Sequence, residues 1–73
     1  MSRLPQVSGA ELVRALQNLG FVVKRQQGSH IILRRTEPFA QTVVPNHRQI
    51  DRGTLRAILR QTGISVEDLL KAL

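Results

Sequence analysis

The sequence predicts an α+β domain of three helices around a small three-stranded antiparallel sheet, in the order α-β-β-β-α-α. Three observations carry this. Apolar residues recur at helical spacing near both ends of the chain, the middle is rich in β-formers, and helix-start residues stand at Ser8, Asp51 and Ser65. At 73 residues there is room for one domain, 1–73, and 41% hydrophobic content against 22% charged is the balance of a folded protein. Cysteine is absent, so neither a disulfide nor a thiolate zinc site is available and the core must be built from Leu, Ile and Val.

Each element has its own signal. Ser8 followed three positions later by Glu11 fits a capping box, and Leu12, Leu16 and Leu19 form one stripe ending at Gly20, which predicts a helix over 9–19. Residues 21–26 and 29–35 read as two strands joined by a turn at Gln27-Gly28. Residues 36–40 read as a polar, proline-bearing connection, and 41–44 as a short third strand closed by Pro45. In Ile31-Ile32-Leu33 three apolar residues in a row fit either parity, so the core-facing set stays open. Asp51 or Thr54 caps a second helix with Leu55, Ile58 and Leu59 on one face and Gly63 as its end. Ser65 opens a short third helix carrying Leu69, Leu70 and Leu73.

No apolar run approaches the roughly 18 residues of a membrane span. The opening MSRLPQVSGAEL also lacks the apolar centre of a secretory signal, which gives a cytoplasmic expectation.

The charge points to a polyanion. Eleven Lys+Arg against five Asp+Glu give +6, and arginine, whose planar fork suits phosphate, dominates the cations. Arg52, Arg56 and Arg60 recur every four residues on the face opposite Leu55, Ile58 and Leu59, with no acid between them. Such a stripe can be plain surface charge, but the mutual repulsion favours a phosphate backbone as the reason for it. Lys24 and Arg25 lie towards the hairpin turn, whereas Arg34 and Arg35 read as a solvated edge or a guard against edge pairing.

Two histidines are the candidates for chemistry. A lone histidine usually has no chemical task, but His30 follows Gly28-Ser29 at a strand start, close to Lys24 and Arg25. RNA phosphodiester cleavage needs a base for the 2′-OH proton, and imidazole is suited to that near neutral pH. His47, in the loop before the arginine helix, is the second candidate, as acid, phosphate contact or bystander. The five acids suggest no two-metal cluster, and Walker, GxGxxG, CxxC and HExxH motifs are absent, so neither a metal nor another cofactor is expected. Phe21 and Phe39 are the only aromatics, a weak supply for base stacking.

The ordered fragments Ser8-Gly9-x-Glu11-Leu12, Leu19-Gly20-Phe21, Gly28-Ser29-His30 and Val43-Val44-Pro45-x-His47 are followed by two more. These are Ile50-x-x-Gly53-Thr54-Leu55-Arg56-x-Ile58-Leu59 and Gly63-Ile64-Ser65. Together they resemble the HicA toxins, the YcfA-like family, over residues 8–70. The resemblance implies an α-β-β-β-α fold like that of double-stranded-RNA-binding domains, here with a short extra C-terminal helix. It also implies a bacterial mRNA interferase held inactive by a HicB antitoxin, with His30 as the catalytic histidine. Two positions depart from the family. Residues 36–41 replace a short glycine-bearing turn, and Leu33 stands where an aromatic is frequent, which weakens stacking there.

The expectation is therefore a metal-independent ribonuclease toxin acting on mRNA. His30 is catalytic, His47 is a possible second, and Lys24, Arg25, Gly28, Ser29, Arg48, Arg52, Arg56 and Arg60 bind RNA. The alternatives are a non-catalytic module of the double-stranded-RNA-binding type and a degenerate member that only docks its antitoxin. The intact Gly28-Ser29-His30 favours the enzyme.

Overall fold

The computed structural model describes residues 3–73. Helix α1 spans Gly9–Asn18 and opens with the full capping box. The Glu11 N–H donates to the Ser8 hydroxyl at 3.0 Å, and the Ser8 N–H donates to Glu11 Oε1 at 2.8 Å. That backbone donation, and next the Ser8 hydroxyl, hold the Glu11 carboxyl below the usual carboxylate range. Leu12, Ala15 and Leu16 turn inward.

The strands are β1 (Val22–Gln27), β2 (His30–Thr36) and β3 (Phe39–Pro45), antiparallel and in the spatial order β1-β2-β3. Helix α2 spans Arg52–Thr62 and packs along β3, while α3 spans Val66–Ala72 and packs on α1. Of the two candidate caps for α2 it is Asp51 that serves, accepting from the Gly53 and Thr54 N–H groups, and Gly63 ends the helix at φ 73°. The α+β class and the element order are those the sequence predicts.

The sheet departs from expectation in three places. The hairpin turn sits one residue later, at Gly28-Ser29, because Gln27 pairs with His30. A positive φ of 57° at Gly28 and none at Ser29 is the signature of a II′ turn. Strand β3 begins at Phe39, paired with Thr36, so the connection shrinks to Glu37-Pro38. The ladder between β1 and β2 slips between Val23 and Arg25, making Lys24 the bulged residue.

Parity is also settled. Ile31 and Leu33 face the core beside Val44 and Thr42 of β3, and Leu33 is fully buried, so an aromatic there would be core rather than a stacking platform. The opposite face of the sheet is open. It presents His30, Ile32 and Arg34 from β2, and Val22, Phe39 and Val43 stand exposed on the flanking strands.

Arg34 and Arg35 are not a solvated edge, because β2 is the central strand and has no edge. On the open face, Arg34 Nε donates across to Gln41 Oε1 at 3.0 Å. Arg35 lies on the other face. Its guanidinium sits 4.7 Å from the Phe21 ring centroid and donates to the carbonyls of Pro38 and Thr62. The charge thus closes the end of the core, satisfying the last turn of α2 while covering a buried ring.

One contact fixes the remaining loop. Gly9, the first residue of α1, lies against the backbone of residues 45–47. A Cβ on it would collide with the Pro45 carbonyl oxygen and stand 2.9 Å from Asn46 Cα and 3.2 Å from the His47 nitrogen. The Gly9 N–H donates to the His47 carbonyl at 2.8 Å, and the Ile50 N–H donates to the Val7 carbonyl at 2.8 Å. Gly9→Ala improves helix propensity yet overpacks against backbone that has nowhere to go. It is expected to cost about 1–3 kcal/mol, read as a lower urea midpoint. Stability equal to the parent chain would mean that the loop yields freely.

Candidate functional site

The II′ turn delivers His30 as the first residue of β2, on the open face and opposite Pro45. The turn does not swing free, because the Asn46 N–H donates to the Ser29 carbonyl at 2.6 Å. His47 comes from the loop that Gly9 and Val7 hold by their backbones. The two histidines thereby line one pocket of about 460 Å³, walled by Val43 and Pro45 of β3 and by Asp51 and Thr54 at the start of α2. Both side chains are exposed. Among the described residues neither imidazole has a hydrogen-bond partner, so both are available to a ligand.

Arg25 pairs with Ile32, which sets it on the open face diagonally from His30, roughly 7–8 Å away between backbones. Lys24, in the bulge, is exposed beside it. Gly28 and Ser29 form the turn itself. These residues make a basic margin to the pocket on the β1 side.

The other predicted cations lie elsewhere. Thr54, Ala57 and Gln61 face β3, and Arg52, Arg56 and Arg60 occupy the opposite flank of α2. There the three arginines, with Arg3, border a separate groove of about 590 Å³ whose apolar side is Leu4, Leu59, Ile64 and Val66. Arg48 turns towards Gln6 and Glu11 in a small recess on the α1 side. The basic set read from the sequence is thus split over distinct surfaces, with the width of a helix between the stripe and the histidines.

Sequence reasoning missed the polar wall of the pocket. Asp51 was legible only as a helix cap, and nothing in the local pattern placed Thr54, Gln49 or Val43 beside a histidine. Phe21 is buried under Arg35, and Phe39 stands at the far end of the open face, so neither aromatic reaches the pocket. Among the described residues no three His, Asp or Glu side chains converge as a metal-ligand set, and no helix is long and apolar enough to cross a membrane.

The sequence pattern of the HicA toxin of bacterial toxin–antitoxin systems matches residues 9–64, well over half of the chain. The chain belongs to the HicA toxin family. The matched stretch runs from the Gly9 contact to the end of α2 and takes in every residue of the histidine pocket, leaving α3 outside. No curated protein matches the chain. Membership makes this the toxin half of a toxin–antitoxin pair and implies an antitoxin of the HicB type as its partner.

Proposed function

We propose that this HicA toxin, as one domain spanning the chain, is a metal-independent endoribonuclease that cuts mRNA in the cytoplasm. The observation that carries the reading is the meeting of His30 and His47, far apart in sequence, at one open pocket with Arg25 and Lys24 on its margin. His30 acts as general base. It takes the proton of a 2′-OH, whose oxygen attacks the adjacent phosphorus and expels the 5′-oxygen of the next nucleotide, leaving a 2′,3′-cyclic phosphate. His47 returns a proton to that departing oxygen. Arg25 and Lys24 hold the phosphate whose charge rises in the transition state.

His30→Ala is expected to lower the cleavage rate by ~10²–10⁴ while folding and RNA affinity stay nearly intact. The parent chain should cut undiminished in excess chelator and should fail on RNA carrying deoxyribose at the scissile position. Wild-type cleavage by the His30 variant would transfer the role to His47, and loss of cleavage in chelator would indicate a two-metal mechanism. RNA binding without any cleavage would favour the non-catalytic alternative.

The arginine stripe extends the RNA path beyond the scissile site. Arg52 starts α2 next to the pocket, and the row to Arg60 runs about 12 Å along the helix. Replacing Arg52, Arg56 and Arg60 together by alanine should weaken binding across sequences and reduce the salt slope by about one unit per lost phosphate contact. An unchanged slope would confine the RNA to Lys24 and Arg25.

The antitoxin acts by covering this surface. Its expected footprint buries His30 and sets acidic residues against Lys24, Arg25 or the stripe, which makes association fast and salt-sensitive. Co-expression followed by footprinting should protect His30 and raise the melting temperature through linkage. A tight complex that leaves His30 exposed and RNA cleavage active would overturn this mode of inhibition.

A further inference from the structure

We infer that the recess between His30 and the start of α2 is a base-binding subsite, in which Asp51 selects a nucleobase bearing an exocyclic amino group. The inference rests on the ribonuclease reading and adds to it which bases flank the cut.

The pocket's volume of about 460 Å³ lies in the range of small-ligand sites. The Asp51 end of the pocket is unsuited to a phosphate. No lysine or arginine lines it, and its α2 end carries the Asp51 carboxylate, which would repel an anion. Two of the N–H groups at the start of α2 that could attract an anion are already used. Gly53 and Thr54 both donate to Asp51 Oδ2, at 3.0 and 3.3 Å. Phosphate therefore belongs at the histidine rim, on the side of Arg25 and Lys24, and the Asp51 end of the recess is left for a neutral group.

The remaining features fit a flat, donor-bearing ring. Val43 and Pro45 supply an aliphatic wall of the kind a base can pack against. The two hydrogen bonds to Oδ2 fix the orientation of the Asp51 carboxylate and leave Oδ1 as an acceptor. Adenine, cytosine and guanine each carry an amino group that can donate to it. Uracil has a carbonyl oxygen in the place of cytosine's amino group, and two acceptors facing each other are repulsive.

The test uses purified full-length chain and a set of short RNAs that differ only in the base on either side of one scissile linkage. At one flank, amino-bearing bases should be cut on the order of tenfold faster than uracil. Asp51→Asn keeps the helix cap, since asparagine caps as well as aspartate, but its amide offers uracil a donor. The ratio between bases should collapse in that variant, whatever its overall rate. The same contrast should appear in the affinity of uncleavable oligonucleotides with deoxyribose at the scissile position. Equal cutting of all four bases by the parent chain, or an undiminished preference in Asp51→Asn, would overturn the subsite while the ribonuclease reading stands. Absence of cleavage together with an Asp51-dependent affinity ratio would sink the ribonuclease reading and leave the subsite in place.

Discussion

The site depends on a missing side chain. Gly9 brings the N-terminus of α1 into backbone contact with the segment that leaves β3, so closely that no Cβ fits between them. That approach allows the Gly9 N–H to reach the His47 carbonyl, and it leaves the loop of residues 46–50 clamped between Val7, Gly9 and Ser29 by their backbones. The loop's path then determines where α2 begins, and α2 must begin there to lie along β3. One tight contact, made at the backbone of residues 45–47, thus fixes where the loop that carries His47 stands relative to the turn that carries His30.

Much of the fold was legible because its signals are local. The Ser8–Glu11 box, the Gly63 stop and the Ser65 cap are satisfied by neighbours three or four positions away, so the chain announces them. What was not legible depends on register. The run Ile31-Ile32-Leu33 contains no parity information, and only pairing with Thr42 and Val44 decides which residues are inside. Arg35 reads as surface charge because arginine usually is. Its interior role needs the Phe21 ring and the Thr62 carbonyl, 14 and 27 positions away, to arrive at the same place. His30 was singled out because Gly28 and Ser29 stand beside it in sequence, and the fold brings it to the pocket. Asp51 was not found as a pocket residue because its neighbours in space come from β2, β3 and the loop.

The positive charge is partitioned in a way that net charge conceals. A +6 chain suggests one basic face, but α2 divides its cations. Arg25 and Lys24 border a pocket that itself contains a carboxylate and no cation, whereas Arg52, Arg56 and Arg60 border a groove with an aliphatic side. The Lys and Arg charge therefore lies beside the histidine pocket rather than within its lining.

The bulge at Lys24 has a consequence for how copies of this chain behave together. Both β1 and β3 are outer strands of the sheet; α2 packs along β3, and β1 pairs with β2 alone. An uninterrupted outer strand is a template on which another chain can hydrogen-bond. Here the ladder slips between Val23 and Arg25 and places a lysine at the irregularity. A second molecule adding to that side would meet a broken repeat of donors and acceptors and a charge with no counterion. The guard against edge pairing that the sequence suggested at Arg34-Arg35 falls instead to one extra residue in an outer strand, Lys24.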